Sequence, residues 1–202
     1  MSNRHAALLL ISVVLTALCG CLGSDSQTTI ATLKESAGSV DCRNNPDDRF
    51  QPATVGQTLS DNASIRTGEN SSALLAFSIG GRLKLSSNSF FLVKQGNCIG
   101  SQNAGNGLFE IDKQAEKISI ETPQGLTTIL GTKFKQTVTQ DKVELVLYEG
   151  LIEFSSQEGK TVRINPGEKL LIEAGNPPGE PVKIDDFNID ELFNSEKSNK
   201  SY

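Results

Sequence analysis

Beyond His5 the sequence contains no histidine, and it contains no tryptophan. Without histidine, Ser-His-Asp and Cys-His nucleophile systems and every His-ligated metal site are excluded from the rest of the chain. There is no G-x-S-x-G elbow, no G-x-x-x-x-G-K-[ST] phosphate loop and no cysteine cluster. Tyrosine occurs twice, at Tyr148 and Tyr202, so a row of aromatics for stacking sugar rings is hard to assemble. The formal charge is −5, and no run of Lys and Arg interrupts it. Nucleic-acid binding needs basic clusters, so it is not expected. The acidic pairs Glu110 with Asp112 and Glu144 with Glu149 resemble a glycosidase arrangement only by number. Their ordinary reading is strand solubility. From Asp186, a calcium-loop count puts Glu191 where glycine belongs and Lys197 where glutamate belongs, so the EF-hand pattern fails. No enzyme, cofactor, metal or small-molecule site is expected.

What is present first is a leader. Arg4 and His5 precede an apolar run over residues 6–17, too short for a ~30 Å hydrocarbon core. Leu18-Cys19-Gly20-Cys21 comes next and is similar to a bacterial lipobox, with cleavage before Cys21 and lipid on its sulfur. Residues 1–20 are therefore expected to be a lipoprotein signal peptide. Several acyl chains, at ~0.8 kcal/mol per buried methylene, would anchor the protein to a membrane. The expected compartment is the bacterial cell envelope, facing the periplasm or the exterior. Cys42 and Cys98 remain, and in an oxidising compartment an even pair predicts a disulfide. Its loop of ~57 residues would be worth about 4 kcal/mol.

Residues 21–36 read as a flexible tether, although residues 30–40 hold a candidate first strand. From Val55 onward, short apolar runs alternate with turn residues every ~8–12 positions, the spacing of an all-β fold. Strands are expected near 63–66, 73–79, 82–86, 90–93, 108–111, 117–121, 126–130, 134–139, 143–148, 151–155, 161–164 and 169–173. Gly80-Gly81 and Glu158-Gly159 read as hairpin turns. Residues 97–107, rich in Gly, Asn and Ser, read as the longest irregular loop. Residues 63–70 are similar to residues 118–125, a weak internal repeat that favours stacked strand-turn-strand units. The expected architecture is a compact β-solenoid or roll in one domain over residues 37–175, with a β-sandwich as the alternative. Pro177 and Pro178 open a linker and acidic tail over 176–202. Within it, Asp185 to Phe193 reads either as a short amphipathic helix, with Ile189, Leu192 and Phe193 on one face, or as an unstructured acidic segment.

A set of motifs runs through this pattern in order. They are Thr67-Gly68 with Ser71, Gly80-Gly81, Thr122-Pro123, Gly131-Thr132 with Phe134, Glu149-Gly150 and Gly167. Together they resemble FecR-like domains over roughly residues 37–172. The resemblance implies an all-β, solenoid-like, non-enzymatic module that senses a signal or binds protein in the periplasm. In the best-known architecture of that family the domain comes after an anti-sigma segment and a transmembrane helix. This sequence shows neither, so a stand-alone, lipid-anchored module is expected. The motif residues themselves are expected to be structural. The rival reading is a structural envelope protein that binds carbohydrate or peptidoglycan. The expected partner is another envelope protein, met through strand edges, the 97–107 segment, or Leu192 and Phe193 in the tail.

Overall fold

The computed structural model describes residues 28–184, so the leader, Cys21 and the tail with Leu192 and Phe193 lie outside the described residues. Seventeen strands form one continuous, open sheet, and no helix occurs among the described residues. The all-β, single-domain expectation holds. The strands are β1 (Ala31–Ala37), β2 (Val40–Arg43), β3 (Gln51–Pro52), β4 (Thr58–Leu59), β5 (Ser64–Thr67), β6 (Ser72–Phe77), β7 (Arg82–Leu85), β8 (Phe90–Val93) and β9 (Cys98–Ile111). They continue as β10 (Ile118–Thr122), β11 (Gly125–Ile129), β12 (Thr132–Val138), β13 (Lys142–Glu149), β14 (Ile152–Ser156), β15 (Thr161–Ile164), β16 (Glu168–Glu173) and β17 (Val182–Lys183).

The pairings sort into two ladders. The first runs β4-β1-β6-β7-β9-β12-β13-β16-β17. The second runs β3-β2-β5-β8-β9-β10-β11-β14-β15. All pairs are antiparallel except β9 with β10. β9 belongs to both ladders. Its early residues pair with β8 and β10, and residues 105–111 pair with β12. The ladders face each other across one core. The Phe91 ring, from the second ladder, lies 6.2 Å from both Phe77 and Phe109 of the first. Phe109 in turn stacks on Phe134 at 4.8 Å.

Alternation produces this arrangement. In β12 every second residue is buried, Thr132, Phe134, Gln136 and Val138, while Lys133, Lys135 and Thr137 face outward. β6 repeats the pattern with Ala73, Leu75 and Phe77 inside. Such half-buried strands fix their own register, because a slip of one residue would expose the whole inner set.

Four expectations need correction. First, residues 97–107 are not a loop but most of β9. Their glycines mark close approaches: a Cβ on Gly100 would lie 2.3 Å from the Phe91 ring, and one on Gly107 would lie 2.7 Å from Phe109. Gly105, at φ +86°, lies where the strand bends from one ladder into the other. Second, the β structure begins at Ala31 rather than at 37. Ala31 and Leu33 are buried and β1 pairs along β6, so the end of the expected tether is sheet. It also continues beyond 175, because β17 pairs with β16. Third, the architectural repeat is offset from the one read in the sequence. β5 leads into the β6–β7 hairpin and returns as β8 beside β5, and β11 leads into β12–β13 and returns as β14 beside β11. The sequence similarity instead matches β5 with β10. What those two strands share is local: each ends in a buried threonine, Thr67 or Thr122, whose Oγ1 donates to a backbone carbonyl.

The fourth correction concerns Cys42 and Cys98, which are both free thiols. Cys42 lies on β2 and Cys98 on β9, with β5 and β8 between them. Three strand spacings amount to ~14 Å, whereas a disulfide needs Cα atoms within ~7 Å. Burial raises the pKa of both thiols above the ordinary cysteine value.

Candidate functional site

The motif residues gather at the two ends of the strands. At one end, Thr67 Oγ1 donates to the Ser86 carbonyl and accepts from the Ser89 amide at 3.0 Å. The Gly68 amide reaches the Ser39 carbonyl at 2.8 Å, and Ser71 Oγ accepts from the Ser39 amide at 2.9 Å. These bonds close three neighbouring turns against one another. Thr122 Oγ1 donates to the Gly125 carbonyl across the turn that contains Pro123.

At the opposite end, Gly80 and Gly81 form the β6–β7 turn at φ +95° and +96°. Gly131 passes so close to Lys113 that a Cβ would lie 2.7 Å from its Cα, and Gly150 abuts the Gly131 carbonyl. Phe134 is core. Thr132 is buried, and its Oγ1 has no hydrogen-bond partner. Gly167 sits in the open β15–β16 turn. In this structure, then, these residues shape backbone and core.

That second end carries a groove of 520 Å³ lined by Glu110 to Lys113, Leu130 to Lys133 and Glu149 to Leu151. Ile79, Leu130 and Leu151 stand exposed around it. Gln114 Nε2 joins its rim together, donating to the Ile79 carbonyl at 3.0 Å and to the Asp112 carbonyl at 2.8 Å. A charged row crosses the first ladder beside the groove. Arg82 pairs with Glu110 at 2.5 Å, and Lys133 bridges Glu110 at 3.5 Å and Glu149 at 3.1 Å. Hydrogen bonding to Glu149 raises the Lys133 pKa, and the Glu110 charge adds to it. Both carboxylates are thus committed to cations, which suits a structural row better than proton transfer. Among the described residues no group of three or more Cys, Asp or Glu side chains is placed to hold a metal ion. No helix there is long and apolar enough to cross a membrane.

One aromatic cluster has no counterpart among the sequence motifs. Phe50 packs edge-on against Phe90 at 6.3 Å, and the guanidinium groups of Arg66 and Arg43 lie 4.2 and 4.8 Å from its ring centre. Asp41 holds Arg66 in place at 2.9 Å. The ring contacts are occupied by cations of the same chain. No sequence signal joins residues 43, 50, 66 and 90, because only strand order brings them together.

Residues 63–153 match the FecR protein family. Two crystal structures of a "putative anti-sigma factor" from Parabacteroides distasonis ATCC 8503 share the fold, each at TM-score 0.54 and 15% identity. The alignments cover 64% and 66% of this chain and 62% and 64% of those chains, so the match spans less than two thirds of their length. No curated protein matches the sequence. The family match runs from Ala63, just before β5, to Glu153 in β14, and so spans the β5–β8 unit and most of the β11–β14 unit of the architectural repeat.

Proposed function

We propose that this chain is a non-enzymatic, lipid-anchored protein of the bacterial cell envelope whose FecR domain senses or relays a signal by binding another envelope protein. The observation that carries the reading is the FecR match over residues 63–153. The anti-sigma name of the two similar structures points the same way, toward regulation by protein contact. Lipid attachment rests on Leu18-Cys19-Gly20-Cys21 after the short apolar run. The surface best suited to a partner strand is the outer edge of β15. Among the described residues β15 pairs only with β14, so its other side offers unpaired backbone groups.

Carbohydrate binding gains no support from Phe50, whose ring already carries Arg43 and Arg66 and packs against Phe90. The test is crosslinking in the native cell with a photoreactive residue at Arg163, which lies on β15 and is exposed, then mass spectrometry of the adducts. One dominant protein adduct is expected, lost when β15 is altered. Turnover of a glycan by the purified chain, with no protein adduct, would mean the function class is wrong. Separately, mass spectrometry of the membrane fraction should find Cys21 as the lipid-bearing N-terminus. An unmodified chain starting elsewhere would remove the anchor from this reading and leave the protein contact to its own test.

A further inference from the structure

The two ends of the strands differ in chemistry. At the end that carries the β6–β7, β11–β12 and β13–β14 turns, Ile79, Leu130 and Leu151 are 40%, 41% and 36% exposed. They are three of the six large hydrophobic side chains exposed among the described residues, so exposed apolar surface is concentrated there. Leu130 and Leu151 line the groove, and Gln114 ties the Ile79 carbonyl to its rim. The turns of the opposite end carry none of the six. They read Gly68-Glu69-Asn70-Ser71, Ser86-Ser87-Asn88-Ser89, Thr139-Gln140-Asp141 and Gln157-Glu158-Gly159.

The chain enters the sheet at the apolar end. Ala31 stands opposite Phe77, the last residue of β6. The Ser78 amide donates to the Ile30 carbonyl at 2.8 Å, and Ser78 Oγ donates to the Thr29 carbonyl at 2.6 Å. Residues 29 and 30 thus lie against the residue that precedes Ile79. Thr28, the first described residue, follows Cys21 by seven positions. Seven residues reach at most ~25 Å when fully extended. β12, which runs from one end of the sheet to the other, is seven residues long, or ~24 Å. With the polar end on a membrane, Thr28 would stand a whole strand length above it and use up that reach. With the apolar end down, the tether is slack.

We infer that this end of the strands rests on the lipid surface, with Ile79, Leu130 and Leu151 entering the interface. The inference rests on lipid attachment at Cys21. Aliphatic side chains gain by leaving water, and a short tether turns the contact into an intramolecular one, so a contact too weak to hold a free chain suffices. The groove is lined by both signs of charge, Asp112 and Glu149 with Lys113 and Lys133. Lys133 is already paired with Glu110 and Glu149. Such a rim suits the hydrated headgroup zone and sets no preference for anionic lipid. Docked in this way, the strands stand upright on the bilayer. The polar turns point away from it, and the outer edge of β15 stays open from the side.

Collisional quenching tests it on the lipid-bearing protein, purified from membranes and reconstituted in phosphatidylcholine vesicles that contain brominated phosphatidylcholine. Cys42 is buried, so a Cys98→Ser background leaves one introduced thiol to label. A bimane fluorophore goes either on Lys113→Cys beside the groove or on Gln140→Cys in the β12–β13 turn, both exposed positions. Quenching should be severalfold stronger at 113 than at 140. Ile79→Ser with Leu130→Ser and Leu151→Ser should bring the 113 label down to the 140 level without changing the circular dichroism spectrum. Equal quenching at the two positions, or stronger quenching at 140, would overturn the inference while leaving the anchor in place. Energy transfer between differently labelled copies, with little quenching at 113, would assign this end to a second copy and also overturn it. An unmodified Cys21, read by mass spectrometry of the same sample, is a separate result that removes the anchor and this inference together.

Discussion

A methyl group on Gly150 would sit 2.4 Å from the Gly131 carbonyl oxygen, in a backbone held at φ +95°. Gly159 has a similar φ, +87°, but nothing within 4 Å. Positive φ alone costs an L-residue roughly 1–2 kcal/mol. Gly159→Ala should therefore cost about that much, and Gly150→Ala clearly more, because backbone must also shift. Thermal unfolding of the two variants checks the order. Equal melting temperatures would mean that the Gly131–Gly150 approach is not tight. Buried polar groups make a second residue-scale case. Thr127 Oγ1 donates to Gln136 Oε1 at 2.9 Å, Gln136 Nε2 to Gln102 Oε1 at 3.1 Å, and Gln102 Nε2 to the Gly105 carbonyl at 2.9 Å. All three side chains are fully buried. Gln136→Leu would strip partners from both neighbours, and stranded buried groups cost ~1–3 kcal/mol each. A lowered denaturant midpoint is expected, and an unchanged one would show that the relay carries no stability. Glu153 gives the pH case. Hydrogen bonds from Lys117 and Arg163 lower its pKa. A depressed carboxylate stabilises above its unfolded pKa, so this contribution is present at neutral pH and fades as pH falls through the lowered value. Lys117→Gln should move the Glu153 titration, monitored by NMR, back toward the usual range near ~4.3.

At the scale of elements, β15 is the edge where pairing stops. The Ser156 amide bonds to the Lys160 carbonyl. By the alternation of antiparallel ladders, Thr161 and Arg163 therefore turn their backbone groups away from β14. Thr161→Pro should leave the β14 pairing intact and remove one outward N–H. Loss of the partner adduct with an unchanged melting temperature is the expected pair of results, and retention of the adduct would exclude strand addition at this edge. Legibility in the sequence also divides by element. β6, β12 and β13 are readable because inner and outer residues alternate. The turns at Gly80-Gly81 and Gly150 are readable because only glycine takes their φ cheaply. β9 is not, since Gly100, Gly105 and Gly107 look like loop composition until Phe91, Phe109 and Ser89 are packed against them. The Cys42–Cys98 pairing fails for a related reason. Chain separation says nothing about how many strands stand between two residues. The Arg82–Glu110–Lys133–Glu149 row is equally hidden, because cross-strand register is written in no local stretch.

At the scale of the whole molecule, the decisive feature is that β9 serves both ladders. Its early residues carry the second ladder through β8 and β10, and its late residues carry the first through β7 and β12. Loss of β9 would split both ladders at once. The Phe77–Phe91–Phe109–Phe134 chain of ring contacts crosses between the ladders. Gln102, on the early half of β9, is hydrogen-bonded to Gln136 of the first ladder. Neither half has a core of its own, because the largest fully buried side chains form one cluster. Unfolding should therefore be two-state, without a species in which one ladder survives. Hydrogen exchange read against denaturant is the direct test. Amides in β6 and β12 of the first ladder, and in β11 and β14 of the second, should converge on one opening free energy. β3, β4 and β17, each two residues long at an edge, should open first and at lower cost. Gly105→Val, which places a branched side chain against Ser89 at the bend, should lower the opening free energy of both ladders equally. A loss confined to one ladder would show that the bend is a hinge between independent units, and the single-core account would fail with it.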